Sequence, residues 1–141
     1  MPFEEIQGDL FVDPDPTDAL AHCVSKDLRM GKGIAKIFKD KFNGFNKLKQ
    51  QDKKVGEVAY LFHDKRYIFY LITKPTAWDK PTQEDFKKSL AELRRLCEEF
   101  KVTGLSIPRI GTGLDCLDLD FVRESVCNAF EGSDIKVTMY Y

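Results

Sequence analysis

The sequence predicts an α/β fold in which helices cover both faces of a mixed β-sheet. Strand-type runs alternate with helix-type segments along the chain, and one pair of runs is separated by a tight turn, which predicts a hairpin. A strand, a glycine-containing loop and a helix follow one another twice. Ligands of such sheets bind beyond the carboxyl ends of strands, where the connections diverge. We therefore expect the two glycine loops to border one shared crevice.

Length and composition are those of an ordinary globular domain. The chain has 141 residues, of which 43% are hydrophobic and 32% are charged, and we expect one domain over residues 1–141. The formal net charge of −1 gives no overall attraction to nucleic acid or membranes, so affinity for a polyanion requires a local patch. The sequence has no apolar run of membrane-spanning length and no signal-peptide pattern, which predicts an intracellular protein without a membrane partner.

The four cysteines do not form a recognisable metal or disulfide pattern. No Cys-x-x-Cys pair occurs, and a disulfide framework is not expected inside the cell. His22 and Cys23 are adjacent, but alternate residues of a strand face opposite sides, so both rarely point into one site. We expect neither a metal ion nor a cofactor.

The first third of the chain predicts two strands followed by a helix. Residues 3–11 form a short strand that is interrupted at Gly8, with Asp9 projecting directly after the glycine. The continuous apolar run over 19–24 is typical of a buried central strand. The loop over 25–33 contains the first Gly-x-Gly, and apolar residues at helical spacing follow it.

A lysine-rich segment follows. Residues 36–54 contain seven lysines against two aspartates. Most such runs are solvated helix faces, and we favour that interpretation; contact with a polyanion is the alternative.

The middle of the chain predicts a hairpin and a long helix. The β-rich runs over 58–62 and 67–72 pair as the hairpin, and the second run leads to Lys74. A lysine at the end of a highly apolar strand must either reach solvent or occupy a pocket there. The loop over 75–81 holds the only tryptophan, Trp78, and Thr82 opens a helix with a capping-box pattern.

Residues 105–115 are the most informative stretch. An apolar strand ends at Pro108, a Gly-Thr-Gly turn occupies 111–113, and Asp115 precedes an amphipathic segment. The two glycines let backbone N–H groups approach an anion, and a following helix N-terminus adds its unpaired N–H groups. The spacing is not the dinucleotide fingerprint, because Cys116 stands where a glycine is required, and it is not a P-loop.

The last third completes the alternation of helices and strands. A helical stripe runs from Phe121 to Phe130, and Gly132 ends that helix. Residues 135–140 alternate between apolar and polar and form a last strand.

Together these stretches resemble the macrodomain family of ADP-ribose-binding modules. The resemblance spans nearly the whole chain and points to the subclass of terminal ADP-ribose protein glycohydrolases, which also deacylate O-acyl-ADP-ribose. It implies a three-layer α/β/α sandwich with a mixed central sheet. The matching motifs are Leu-Ala-His-Cys-Val-Ser at 20–25, Arg-Met-Gly-Lys-Gly-Ile-Ala at 29–35, Leu-Ile-Thr-Lys at 71–74 and Pro-Arg-Ile-Gly-Thr-Gly-Leu-Asp at 108–115.

The resemblance also implies a role for each matching position. Lys74 would attack the anomeric carbon of the distal ribose, release the protein carboxylate and leave a covalent lysyl intermediate, while Asp115 would serve the acid/base steps and resolve that intermediate. Asp9 would accept a hydrogen bond from the adenine amino group, Ser25 would lie near the distal ribose, and the amides of the two glycine loops would hold the diphosphate. The implied substrate-binding set is Asp9, Leu10, Ser25, Met30, Gly31, Gly33, Ile34, Ile110, Gly111, Thr112, Gly113, Leu114 and Tyr140.

The chain departs from the subclass pattern at two places, a shortened N-terminus and the segment over 75–81. These departures leave the substrate preference and the rim contacts open. The asparagine-rich and triple-glycine signature of the other main hydrolytic macrodomain group is missing, which argues against a mechanism based on a positioned water.

Elementary chemistry agrees with the two implied catalytic residues. A lysine becomes a useful nucleophile only when burial or a cationic neighbour activates it, and a pocket at a strand end could supply the burial. A carboxylate beside a lysine favours the charged amine, so Asp115 is better assigned to proton transfer than to activation. The residues alone also allow Lys74 to be a surface lysine and Asp115 to be a helix cap.

We predict a glycohydrolase that removes terminal ADP-ribose from acidic side chains of modified proteins and deacylates O-acyl-ADP-ribose. The alternatives are a non-catalytic reader of ADP-ribose or its polymer, and an unrelated nucleotide-binding module. The presence of both Lys74 and Asp115 favours the enzyme over the reader. The expected partners are ADP-ribose and ADP-ribosylated proteins, with poly-ADP-ribose and modified nucleic acid left open. We expect a monomer in the nucleus, the cytoplasm or both.

Overall fold

A mixed β-sheet forms the middle layer of the structure, a computed structural model that describes residues 3–141. Within these residues the strands are β1 (Phe3–Ile6), β2 (Ala19–Ser25), β3 (Val58–His63), β4 (Arg66–Lys74), β5 (Gly104–Pro108) and β6 (Lys136–Tyr140). Their order across the sheet is β1-β6-β5-β2-β4-β3. Every neighbouring pair is parallel except β3 and β4, which are antiparallel. The carboxyl ends of the five parallel strands therefore lie at one edge of the sheet.

Helices cover both faces of this sheet. Within the described residues they are α1 (Gly33–Phe42), α2 (Phe45–Gln51), α3 (Gln83–Glu99) and α4 (Leu119–Ala129). Phe38 of α1 and Leu48 of α2 pack in one core cluster, and residues of α3 and α4 such as Phe86 and Val122 pack in the other. The predicted three-layer α/β/α sandwich is confirmed. None of the helices within residues 3–141 is long and apolar enough to cross a bilayer.

The two central strands divide their side chains between the two cores. In β4, Phe69 and Leu71 belong to the core under α3 and α4, whereas Ile68, Tyr70 and Ile72 belong to the core under α1 and α2. This alternation follows from the two-residue period of a strand. Because both faces are covered, β4 is apolar on both sides instead of alternating with polar residues.

The hairpin and the long helix begin where the sequence predicts them. His63 pairs with Arg66, and the two residues between them, Asp64 and Lys65, both have positive φ, at 52° and 69°. Two left-handed residues are what a two-residue hairpin turn requires. Thr82 caps α3, since its side chain accepts a hydrogen bond from the backbone N–H of Asp85.

A side chain protects the open edge of β3. The amide of Gln51 donates to the Tyr60 carbonyl at 2.7 Å and accepts from the Tyr60 N–H at 3.0 Å. The Gln51 side chain thus makes the two backbone hydrogen bonds that a neighbouring strand would make at Tyr60. An unpaired edge is a template for association with another chain, and this contact blocks its middle.

The lysine-rich segment is broken into two helices. Asn43 and Gly44 have φ values of 52° and 77°, and this turn separates α1 from α2. Lys36 pairs with Asp40 at 2.8 Å, and Lys41 lies 5.5 Å from the centre of the Phe11 ring. Contact of this segment with a polyanion stays a prediction.

The first strand is shorter than the sequence suggests. It ends at Ile6, so the prediction that it continues to Phe11 is wrong. The N–H groups of Val12 and Asp13 donate to the Asp9 carbonyl at 3.1 and 2.8 Å, and the Asp13 carboxylate accepts from the Asp9 N–H at 2.7 Å. These bonds turn the backbone after Gly8 and end its pairing with the sheet.

His22 is a buried, neutral histidine of the central strand. It is fully buried and stacks on Phe38 with ring centres 3.7 Å apart, while Cys23 faces the opposite layer. Both ring nitrogens lack a hydrogen-bond partner among residues 3–141. Burial lowers the pKa of His22 to about 3.

Stability should therefore fall as the pH drops below the ordinary pKa of histidine. In the unfolded chain His22 takes up a proton near pH 6.5, whereas the folded chain resists protonation until about pH 3. The unfolded state binds the extra proton in that window, which costs about 2 kcal/mol of unfolding free energy at pH 5. Urea titrations of wild type and His22→Leu at pH 7 and pH 5 measure this loss. Between the two pH values, the free energy of unfolding should fall by about 2 kcal/mol more in wild type than in His22→Leu.

His63→Gln controls for the loss of an imidazole, because His63 is the other histidine and is exposed at the hairpin. If His22→Leu and wild type lose the same stability between the two pH values, the buried histidine is not the titrating group.

Candidate active site

A cavity of about 600 Å³ opens at the carboxyl ends of β2, β4 and β5. Its walls come from the loop between β2 and α1, from Lys74 with Ala77, Trp78 and Lys80, and from residues 108–115 after β5. The three strands are neighbours in the sheet and parallel, so their carboxyl ends meet at one edge. The structure thus brings together the three polar strand ends that the sequence singles out.

Lys74 and Asp115 meet inside this cavity. The Lys74 Nζ lies 2.6 Å from the Asp115 Oδ1, and only 11% and 14% of the two side chains are exposed. Lys74 is the last residue of β4 and pairs in register with Ser25, beside an irregularity between Val24 and Ser25. Lys74 is therefore not a surface lysine. Asp115 is not a helix cap either, because Asp118 fills that role for α4.

The loop that carries Asp115 is shaped by its own hydrogen bonds. The helix expected after this loop begins only at Leu119, and turns occupy the interval. The Leu117 N–H donates to the Gly111 carbonyl at 2.7 Å, and the Thr112 hydroxyl donates to the Arg109 carbonyl at 2.6 Å. Gly111 has a φ of 73°, a left-handed conformation that favours glycine. The loop holds Asp115 over the end of β4 rather than leaving it in solvent.

The first turn of α1 offers an anion site on the other wall. The N-cap, Lys32, makes no side-chain capping bond, and the first turn carries no acidic residue. Its backbone N–H groups are thus free of side-chain caps and carry the positive end of the helix dipole. Gly33, with a φ of 60°, places this turn against Leu114 of the opposite loop. The two glycine loops therefore face each other.

The cavity is strongly positive although the chain is nearly neutral. Asp115 is the one carboxylate among the described lining residues. A lining of one sign in a cleft raises the local concentration of the opposite charge, so the site suits an anionic ligand. The cationic side chains of the lining are Arg29, Lys32, Lys74, Lys80 and Arg109.

Most of the predicted substrate-binding residues line this cavity, and three do not. Leu10 and Tyr140 are buried in the core cluster under α1 and α2, and Asp9 is exposed in the turn after Gly8. Tyr140 pairs with Pro108, a lining residue, so Tyr140 lies beside the cavity at its β5–β6 side. Their role in binding stays a prediction. The lining members of the predicted set are Ser25, Met30, Gly31, Gly33, Ile34, Ile110, Gly111, Thr112, Gly113 and Leu114.

Asp27 is a structural part of the site that the sequence analysis missed. Its carboxylate accepts hydrogen bonds from the Ser25 hydroxyl, the Arg29 N–H at 3.2 Å and the Ala77 N–H at 3.1 Å. Burial alone would raise the pKa of Asp27, but these three hydrogen bonds outweigh it and hold the pKa below its ordinary value. The ionised carboxylate joins the loop after β2 to the segment after Lys74. No spacing in the sequence distinguishes it from other exposed aspartates.

The segment over residues 76–80, here called the strap, crosses the rim of the cavity. Trp78 is 72% exposed, and the Arg29 guanidinium lies 5.0 Å from its ring centre. At the far end the Lys80 ammonium donates to the Leu114 carbonyl, next to Asp115. Within residues 3–141, no cluster of three or more His, Cys, Asp or Glu side chains is arranged to hold a metal ion.

Comparison with solved structures defines the class of protein. The macrodomain of Thermus aquaticus DarG superposes with a TM-score of 0.86 at 23% identity and covers 99% of this chain and 97% of that one. The macrodomain of Mycobacterium tuberculosis DarG gives 0.86 at 24% identity and covers 98% and 96%. The fold is that of a macrodomain. No family model matches the sequence.

Curated relatives identify the particular family. The ADP-ribose glycohydrolase OARD1 of Homo sapiens is 53% identical over 135 residues, which are 96% of this chain and 88% of that protein. The protein of the same name from Bos taurus is 51% identical over the same shares. The chain belongs to this family of ADP-ribose glycohydrolases within the macrodomains, and the family predicted from the motifs is confirmed.

The two glycines of the Gly-Thr-Gly turn should respond differently to alanine. At Gly111 a Cβ would lie 2.8 Å from Leu117 in a left-handed backbone, whereas at Gly113 nothing lies within 4 Å. Gly111→Ala should therefore lower the unfolding free energy by about 1–2 kcal/mol, and Gly113→Ala should cost far less. Chemical denaturation of the two variants checks this. Equal losses would mean that the left-handed turn does not constrain the loop.

Proposed function

We propose that this protein removes terminal ADP-ribose from acidic side chains of modified proteins and deacylates O-acyl-ADP-ribose. The observation that carries the proposal is the Lys74–Asp115 pair, 2.6 Å apart inside a positively lined cavity. The relatives named ADP-ribose glycohydrolase, at 53% and 51% identity, support the reaction class. A module that only binds the ligand needs no buried lysine at the end of a strand.

ADP-ribose fits the charge and the layout of the cavity. A solved structure entitled Thermosipho africanus DarTG in complex with ADP-ribose has the same fold, with a TM-score of 0.84 at 18% identity over 96% of this chain and 40% of that one. In our proposal the first turn of α1 and residues 111–114 hold the diphosphate. The distal ribose then lies toward Lys74 and Ser25, and the adenine toward Asp9 and Tyr140.

The first chemical step transfers the ribose to Lys74. A proton first moves from the Lys74 ammonium to the Asp115 carboxylate, which lies 2.6 Å away. The free amine then attacks the anomeric carbon and forms an N–C bond. The bond from that carbon to the carboxylate oxygen breaks, and its electron pair leaves with the carboxylate. The nitrogen is left as a secondary ammonium, and the departing carboxylate takes up its extra proton, so Asp115 stays protonated for the second step. A carboxylate is a good leaving group because it departs as a stable anion.

The second step returns the lysine to its starting state. Water adds at the anomeric carbon, the N–C bond breaks, and the lysine nitrogen recovers a proton. Asp115 serves as the base for the water and as the source of that proton. The products are free ADP-ribose and the unmodified side chain. Deacylation of O-acyl-ADP-ribose uses the same cavity, since it releases the same product from a smaller leaving group.

Lys74→Ala should abolish glycohydrolysis while ADP-ribose binding is retained, because the loops that hold the diphosphate are untouched. Asp115→Ala should slow turnover by roughly 10²–10⁴-fold, the usual effect of lost acid/base catalysis. Steady-state rates on a glutamate-linked ADP-ribosyl peptide, with calorimetry for free ADP-ribose, separate binding from chemistry. Lys65→Ala, at the exposed end of the hairpin, controls for removal of a lysine.

Full activity of Lys74→Ala would end the covalent mechanism and leave attack by water. Wild-type protein that binds ADP-ribose tightly but turns over no substrate would be a reader and not an enzyme.

Asp9 offers a separate test of base recognition. Asp9→Ala should weaken ADP-ribose binding by about 1.5–3 kcal/mol through loss of a charged acceptor for the adenine amino group. The side chain also accepts from the Phe11 N–H at 2.9 Å, so Asp9→Asn is the sharper variant because it keeps an oxygen for the turn. Calorimetry alongside thermal melting decides the outcome: unchanged affinity in two stable variants would make Asp9 a turn residue only.

A further inference from the structure

Trp78 stands on the rim of the catalytic cavity with most of its ring in water. It is 72% exposed, yet it lines the same cavity as Lys74 and Asp115. Exposure of a whole indole costs favourable burial unless a partner covers it part of the time. Neither Trp78 nor the rest of the strap belongs to the residues that are predicted to hold the nucleotide.

Hydrogen bonds fix the backbone of the strap on both sides of Trp78. The Asp79 carboxylate accepts from the Thr76 N–H at 3.0 Å and from the Thr76 hydroxyl at 2.9 Å, which closes a tight turn around the tryptophan. Asp27 binds the Ala77 N–H on one side, and Lys80 binds the Leu114 carbonyl on the other. The turn is therefore anchored to both walls of the cavity. A contact surface that is fixed in advance loses little entropy when it binds.

Two cationic side chains beside Trp78 have N–H groups that can bind a further partner. Arg29 lies against the ring and makes no side-chain hydrogen bond or ion pair with any residue in the described range 3–141. Lys80 keeps further N–H groups for a second partner, because its ammonium has three. The nearby carboxylates of Asp27 and Asp79 keep their negative charges, but each already accepts hydrogen bonds from backbone N–H and hydroxyl groups. A carboxylate that approaches the rim can therefore bond to Arg29 and Lys80.

We propose that Trp78, Arg29 and Lys80 form a leaving-group subsite that binds acidic polypeptide next to the modified residue. The proposal rests on the function proposed above. A cavity of about 600 Å³ cannot hold a polypeptide beside ADP-ribose. The polypeptide that carries the modified residue must therefore lie outside the cavity, across the rim near Lys74. There the exposed indole face packs on the chain, and the two cations pair with flanking Asp or Glu side chains. The subsite thus selects acidic sequence around the modification.

Three substrates test the proposal: a peptide with one ADP-ribosylated glutamate and acidic flanks, the same peptide with serine flanks, and O-acetyl-ADP-ribose. Trp78→Ala should lower kcat/KM for the acidic peptide about tenfold, as expected for a lost contact of this kind. Arg29→Ala should remove the preference for acidic over serine flanks. The ratio of acidic-peptide to O-acetyl-ADP-ribose kcat/KM should fall in both variants. Phe62→Ala is the matched control, because Phe62 is an exposed aromatic on β3, away from the cavity lining.

The possible results are distinguishable. Equal losses on all three substrates, or no loss on the acidic peptide, would overturn the subsite while the proposed function stands. A greater dependence on Trp78 with an ADP-ribosylated oligonucleotide than with the peptide would overturn the assignment of the occupant. Wild-type protein that turns over none of these substrates would refute the proposed function itself.

Fluorescence gives a second measurement that needs no turnover. Trp78 is the only tryptophan, so emission of the Lys74→Ala variant reports on the rim alone. The modified acidic peptide should shift this emission to the blue as the ring becomes covered, and free ADP-ribose should shift it much less. Equal shifts with both ligands would show that the peptide does not contact the ring.

Discussion

The position of β2 between β5 and β4 is the constraint on which the site depends. Parallel pairing on both sides brings the ends of three strands to one edge, although these strands are far apart in the sequence. Ser25 then lies in register with Lys74, and the loop after β5 can reach over both. The buried apolar sequence of β2 and β4 holds this order, because each strand fits only where helices cover both faces. The cavity is a consequence of the sheet and not of any one motif.

The Lys74–Asp115 pair is better explained by chemistry than by stability. Removing two charges from water is costly, and a buried ion pair often returns no more than that cost. Here the two side chains are 11% and 14% exposed, and both lie on the wall of a cavity. In the proposed mechanism the lysine must lose a proton before it attacks, and the Asp115 carboxylate is the acceptor at hydrogen-bond distance. The same closeness keeps the pair neutral overall, so an anionic ligand is attracted mainly by the other cations of the lining.

Local patterns were sufficient to predict most elements of the fold, although not the separate helix α2. The capping box at Thr82, the hairpin before Lys74 and the continuous apolar runs of the central strands each act over a few residues. The end of β1 was missed because Asp13, four residues away, captures the Asp9 backbone instead of letting the strand continue.

The sequence likewise predicted one part of the candidate site and missed another. The family motifs located Lys74, Asp115 and both glycine loops, but the 2.6 Å contact depends on the strand order. Asp27 and Lys80 were missed because their partners, Ala77 and Leu114, lie 50 and 34 residues away in the sequence. Contacts of that kind leave no periodic or spacing signal in a single chain.

The most direct test of the account is to trap the covalent intermediate on Lys74. If Asp115 is needed mainly to resolve that intermediate, Asp115→Ala should accumulate it during incubation with a glutamate-linked ADP-ribosyl peptide. Intact-protein mass spectrometry should show a gain of one ADP-ribosyl group, and peptide mapping should place that group on Lys74. Lys74→Ala/Asp115→Ala treated in the same way should gain nothing. If Asp115→Ala releases the unmodified peptide while the mass of the protein never changes, the assignment of Lys74 as the nucleophile is wrong.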